Sequence, residues 1–322
     1  MQVIHAGAVG EISWNVPRAI LALGTLDGVH RGHQAILQQA RLAAAAQDGT
    51  AAVLTFAQHP LEVVRPREAP PLLTPLPLKL ALLERLGMAA AVVLHFSAEL
   101  AALDAWAFVE QVLVERLRVA GVSVGYDFGF GRGRTGNADL LREAAGRHGF
   151  WLDVAPPVIA EGRTVSSRAI RALLAEGKVA EARPLLGRPY CLTGVVQPGA
   201  GRGQGLGFAT ANLAVPARGP LQDGVYAGRV FLRGAFRDAM MNLGRGPTFG
   251  DGERRLEIHL PEWSEPLYGE RLLVFFLARL RDEQRFPDAA ALTRQLVTDR
   301  QTAAAVWRES AGFPWPEWTL HL

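Results

Sequence analysis

Cysteine is almost absent. Cys191 stands alone among 322 residues, which excludes a disulfide framework or a cysteine zinc site within one chain and predicts a reducing compartment. Lysine is nearly as scarce: Lys79 and Lys178 are the only two, so arginine supplies almost all of the 34 basic residues. The net charge of +3 is scattered along the chain and forms no basic run of the kind that grips nucleic acid. No stretch approaches the ~18 uninterrupted apolar residues of a membrane span, and the opening MQVIHAGAVGEISW lacks the basic-then-apolar order of a secretory leader. These absences predict a soluble, cytoplasmic protein with no nucleic-acid or membrane partner. Two common phosphate devices are also missing: neither lysine completes G-x-x-x-x-G-K-[ST], and no G-x-G-x-x-G opens the helix after the first strand.

What is present is a chain 49% hydrophobic and 20% charged, long enough for one large or two ordinary domains. From residue 18 to about 155, apolar runs alternate with helix-patterned segments. AILAL (19–23), AAVLTF (51–56), AAVVLHF (90–96), VAGVSV (119–124) and WLDVAP (151–156) read as strands. Between them, apolar residues recur three or four apart, as on a helix. This alternation predicts an α/β domain with a doubly wound parallel sheet. After about residue 185, short strand patterns follow one another at hairpin spacing until a helical stretch at 288–307, which predicts an antiparallel β-barrel closed by a C-terminal helix. The boundary is placed at 183/184.

In an open parallel sheet, ligands bind beyond the carboxyl ends of the strands, and the polar clusters fall there. GTLDGVHRGH follows the first strand, AQHP, with His59, the second, and GYDFGFGRGRTGN, with Asp127, the fourth. A turn from a buried strand into a helix offers unpaired N–H groups and the positive end of the helix dipole, a natural anion site. Gly24, Asp27 and Gly28 shape that turn. His30 and His33, three apart, would face the same way and can donate to phosphate oxygens. A cramped helix cap is the other reading of the same residues. In the second half, GRGQGLGFATANL is dense in glycine, Gly203 and Gly207 included, and could wrap phosphates. Thr210 and Asn212 alternate onto one face of an extended segment and supply the oxygens that Mg²⁺ prefers. A flexible hairpin explains those glycines equally well. Glu257 in LEIHL points away from the face that Leu256 and Ile258 bury, where an exposed strand glutamate would also sit.

GTLDGVHRGH resembles the G-x-F-D-G-x-H-x-G-H signature of nucleotidylyltransferases. TFAQHPLEVV and VGYDFGFGRGRTGN are similar to the bacterial bifunctional riboflavin kinase/FMN adenylyltransferase family, as are GFATAN, LEIHL, GRPY, DGVYAG, NLGRGPTF, LYG and LARLRDEQRF. The resemblance runs from about 15 to 305 in the family's order. It implies that His30 and His33 hold ATP phosphates during adenylyl transfer. It also implies that VSSRAIR brings Ser166, Ser167, Arg168 and Arg171 to the triphosphate, with Arg168 at a position where threonine is usual. Gly129 and Gly246 stand at arginine positions of the family pattern, and Ala209 at a proline position. By the same resemblance Glu257 is the base for the riboflavin 5′-hydroxyl, Thr210 and Asn212 hold Mg²⁺ beside ATP, and Arg281 contacts flavin or nucleotide. The implied substrates are ATP, riboflavin and FMN, with FAD as product. The departures at Arg168 and Gly129 leave a second reading open, a flavin-binding regulatory protein or a kinase whose adenylyltransferase site is impaired.

Overall fold

A computed structural model describes residues 1–198, 210–245, 254–261, 263 and 265–313. They divide into two compact units between Ser167 and Arg168.

The first unit runs β1 (Gln2–Ala6), β2 (Ala19–Leu23), α1 (Arg31–Ala46), β3 (Thr50–Phe56), α2 (Leu61–Val64), α3 (Leu76–Arg85) and β4 (Ala90–Leu94). It continues with α4 (Ala98–Ala102), α5 (Ala105–Ala107), β5 (Gly121–Gly125), α6 (Ala138–His148), β6 (Trp151–Ala155) and a small hairpin of β7 (Ile159–Ala160) and β8 (Arg163–Thr164). Six strands form one parallel sheet in the order β1-β4-β3-β2-β5-β6. β2 and β4 are buried at every position, which is why they read as unbroken apolar runs rather than alternating ones. One face packs Leu21, Leu23, Val92 and Val122 against Phe108, Val112 and Leu113. α1 packs on β2, β3 and β5. Helix boundaries follow their caps: Asn137 accepts from the N–H groups of Asp139 and Leu140 at the start of α6, and Gly149, with φ 72°, ends it.

The second unit opens with α7 (Ser167–Ala175), from its second residue onward, and α8 (Val179–Leu186). Then come β9 (Tyr190–Gln197), β10 (Thr210–Ala214), β11 (Gly224–Leu232), β12 (Ala235–Gly244), β13 (Arg255–His259), β14 (Arg271–Arg281) and α9 (Ala289–Glu309). The six strands make a closed antiparallel barrel in the order β10-β13-β12-β11-β14-β9. β10 closes the ring on β9 through Asn212–Gln197 and Leu213–Val196. α8 packs on β9 and β14, and α9 on β11, β12 and β14. Asp288 caps α9 by accepting from Ala291 N at 2.7 Å. Both the expected parallel sheet and the expected barrel with its C-terminal helix are present. No helix among the described residues is long and apolar enough to cross a membrane.

Candidate functional site

In the first unit the site grows from the end of β2. A buried parallel strand must release its chain into a turn. Here the turn spans Gly24 to His30 and enters α1 at Arg31. His30 is the N-cap, its Nδ1 accepting from His33 N at 3.3 Å. The two rings stack with centroids 3.6 Å apart and planes 17° from parallel. Two imidazoles thus share the positive end of a 16-residue helix, a place suited to phosphate oxygens.

Asp27 lies beneath this surface, 3% exposed. Its carboxylate accepts from Leu73 N, 3.0 Å from each oxygen, and from Thr74 N at 3.1 Å. It therefore ties the turn to the segment leading into α3. Gly28 belongs to the same tie: its φ is +91°, and a Cβ there would lie 2.8 Å from Leu73 Cδ1. Ser167 Oγ donates to Asp27 O at 2.8 Å, so the serine expected near the triphosphate does reach this turn. Gly32 approaches the same segment, with Val165 O 3.7 Å from where its Cβ would be.

A further residue under the turn was not singled out by its sequence context. Lys79 of α3 is buried, and its Nζ donates to Thr25 O at 3.1 Å, Thr55 Oγ1 at 3.1 Å and Phe56 O at 2.9 Å. Burial pushes its pKa down to about 8, and the Asp27 carboxylate opposes that shift. The lone sequence signal was a lysine on the apolar side of a helix in a chain that otherwise uses arginine.

The other rim residues have local partners. His59 Nδ1 accepts from Leu61 N at 3.1 Å, and its own N–H donates to Glu62 Oε1 at 3.1 Å, at the start of α2. Asp127 is exposed after β5, and its carbonyl accepts from Arg134 Nη2 at 3.1 Å. A Cβ on Gly129 would lie 2.9 Å from that same Nη2, so the Arg134 guanidinium covers the position where the family pattern has arginine. Arg168, exposed, and Arg171, half-buried, lie on α7 in the second unit.

In the barrel the register assembles a second cluster. Glu257 of β13 stands opposite Asn212 of β10 on one side and Asn242 of β12 on the other. Its strand neighbours Leu256 and Ile258 are buried while Glu257 is half-buried, as strand alternation requires. Thr210 is opposite His259, on the same side of β10 as Asn212. Glu283, just beyond β14, accepts from Asn242 Nδ2 at 3.1 Å. The sequence pattern does not reveal Asn242 and Glu283, because only strand register brings NLG and RDEQRF beside LEIHL. Arg281 is engaged within the chain. Its Nε lies 3.0 Å from both oxygens of buried Asp299, Nη2 is 2.8 Å from Asp299 Oδ2, and Nη1 donates to Asp282 O at 2.9 Å. Gly203 and Gly207, like Ala209 and Gly246, lie outside the described residues. The described residues include no group of three or more histidine, cysteine, aspartate or glutamate side chains placed to hold a metal.

Similarity to known proteins runs along both units. A family model described as FAD synthetase matches residues 13–169, and one described as riboflavin kinase matches 186–307. A bifunctional riboflavin kinase/FMN adenylyltransferase of Escherichia coli K12 is 35% identical over 285 residues, 88% of this chain and 91% of that protein. The Pseudomonas fluorescens enzyme of the same name is 37% identical over 293 residues, 91% and 94% of the two chains. Among solved structures, a Streptococcus pneumoniae chain described as a macrolide-efflux protein superposes with a TM-score of 0.83 at 28% identity, covering 94% of this chain and 99% of that one.

Proposed function

From the premise that this chain belongs to the bifunctional riboflavin kinase/FMN adenylyltransferase family, we propose how its residues divide the two reactions. The protein phosphorylates riboflavin to FMN and adenylylates FMN to FAD. We assign adenylyl transfer to residues 1–183 and the kinase to 184–322, in the cytoplasm. The family models support that order, with α7 and α8 falling mostly between them.

In adenylyl transfer, an oxygen of the FMN phosphate attacks the α-phosphorus of ATP, the bond to the bridging oxygen breaks, and pyrophosphate leaves. His30 and His33 donate to the phosphate oxygens, where charge builds during attack. Gly24 and Gly28 let the phosphates approach the backbone, and Asp27 fixes the turn from below. Ser166, Ser167, Arg168 and Arg171 are assigned to the triphosphate, and His59 and Asp127 to the rim of the nucleotide site. The observation that carries this half is the stacked His30–His33 pair at the start of α1.

In the kinase reaction, the riboflavin 5′-hydroxyl oxygen attacks the γ-phosphorus of ATP, ADP leaves, and Glu257 accepts the hydroxyl proton. Thr210 and Asn212 would hold Mg²⁺. Two neutral oxygen donors on one side of β10 fit an ion that takes its remaining ligands from phosphate and water. When bound, the ion neutralises phosphate charge. Gly203 and Gly207 are assigned to the ATP phosphates. Arg281, held by Asp299 within the chain, is assigned to contact with flavin or nucleotide.

Separating riboflavin, FMN and FAD by chromatography during incubation with ATP and Mg²⁺ tests the division. Glu257→Gln should slow FMN formation by about 10²–10⁴-fold while still converting supplied FMN to FAD. His30→Ala should give the reverse pattern. FMN formation within a few-fold of wild type in Glu257→Gln would overturn the kinase assignment.

A further inference from the structure

Asn242 lies directly across β12 from Glu257, and its amide is held in one orientation. Nδ2 donates to Glu283 Oε1 at 3.1 Å, and a carboxylate can only accept, so Oδ1 must face the other way. That oxygen is buried and has no hydrogen-bond partner among the described residues. A buried acceptor left unmade is costly, and one kept in a native fold calls for a reason, of which a role at a site is one. The position of Glu283 is reserved as well. A Cβ on Gly244 would sit 2.0 Å from Glu283 Oε2, so the absence of a side chain at 244 admits the carboxylate to the β12 backbone.

Of the groups that the kinase substrates bring to the base, the hydroxyls of the polyol chain are neutral donors. Phosphate oxygens are acceptors and would repel Oδ1, so ATP phosphates do not complete it. Glu257, about 5 Å away between Cα atoms of paired strands, must reach the riboflavin 5′-hydroxyl if it is the base. The other hydroxyls of the same polyol chain are carried on the carbons next to that hydroxyl, close enough to face the strand beside Glu257. We propose that Asn242 is a substrate-binding residue of the kinase reaction: its Oδ1 accepts a hydrogen bond from a hydroxyl of the riboflavin polyol chain, and Glu283 is the residue that positions it. The inference rests on the assignment of Glu257 as base.

The test uses the full-length enzyme with riboflavin and its 2′-, 3′- and 4′-deoxy analogues, all of which keep the 5′-hydroxyl. Asn242→Leu preserves size and removes the acceptor. It should raise the KM for riboflavin about 3- to 10-fold, with a smaller change in kcat and an unchanged KM for ATP. Conversion of supplied FMN to FAD should be unaffected, which reports that the chain is folded. For one deoxy analogue the penalty should vanish, because the wild-type enzyme has already lost that bond. Glu283→Ala and Gly244→Ala, which remove or displace the positioning carboxylate, should move the riboflavin KM in the same direction by less. An equal penalty for riboflavin and all three analogues would overturn the proposal, as would an unchanged riboflavin KM. A raised Mg²⁺ requirement in its place would make Asn242 a metal ligand and overturn it too. None of these outcomes depends on the Glu257→Gln result, so failure of the base assignment and failure of this inference remain distinguishable.

Discussion

Lys79 is a buried cation directly beneath the turn that carries His30 and His33. Its ammonium holds three acceptors at the ends of β2 and β3, and its pKa is about 8 against an ordinary value of 10.5. Asp27 is the charged group that faces it, and the three atoms it bonds are neutral. Below pH 8 folded and unfolded chains both carry the proton, so no pH dependence arises from this group. Between pH 8 and 10.5 the unfolded chain holds more protons than the folded one, so stability rises with pH. The rise amounts to about 3 kcal/mol at most. Denaturant titration across that range should show wild type gaining stability relative to Lys79→Met, while buried Cys191 and Tyr226, whose pKa values burial raises, lower stability with pH in both alike; parallel curves would remove Lys79 as the source of the difference.

At the scale of elements, the tie between β14 and α9 is a buried charge pair. Asp299, 3% exposed, accepts from Arg281 Nε and Nη2 and from Gln295 Nε2 at 2.8 Å. Removing one member of such a pair leaves a charge stranded. Asp299→Ala should therefore destabilise the barrel by about 3–5 kcal/mol, measured by chemical denaturation, and Asn at 299 should cost less. A loss under 1 kcal/mol would mean that Arg281 is solvated in the native state. The same two elements show what a sequence can reveal. β2 and α1 were legible because burial on both faces writes a strand as an apolar run, and a turn bearing His30 and His33 is rare enough to stand out. β14 and α9 were legible by their patterns, but their union through Arg281 and Asp299 was not, since 18 residues separate the partners and neither sits in a recognisable cap. β1 is not legible in the sequence because it is a short edge strand with mostly exposed side chains and so lacks the apolar run of its neighbours. The Asn212–Glu257–Asn242 row depends on register across three strands, which no local pattern encodes.

For the whole molecule, the division into units bears on where the chain can be cut. α7 and α8 belong to the compact unit that holds the barrel. Leu174 O accepts from Gln222 N at 2.9 Å, a Cβ on Gly177 would meet Arg279 Cδ at 2.3 Å, and Val179, Ala182, Leu185 and Leu186 are buried on α8. A fragment of residues 168–322 should thus unfold at a higher denaturant concentration than one of 187–322 and be more stable by several kcal/mol, on the order expected for four buried apolar side chains. Equal midpoints would show that the two helices add nothing to the barrel. The barrel itself is stitched unevenly. β11 and β12 pair along nine residues, whereas β9 and β10 meet at two residue pairs among the described residues. Local opening costs least where the fewest bonds must break, and among the described residues that place is the β9–β10 junction. That junction includes Asn212, one of the two residues proposed for the metal, so a loosening of the ring there would reach the proposed metal position before it reached the long β11–β12 hairpin.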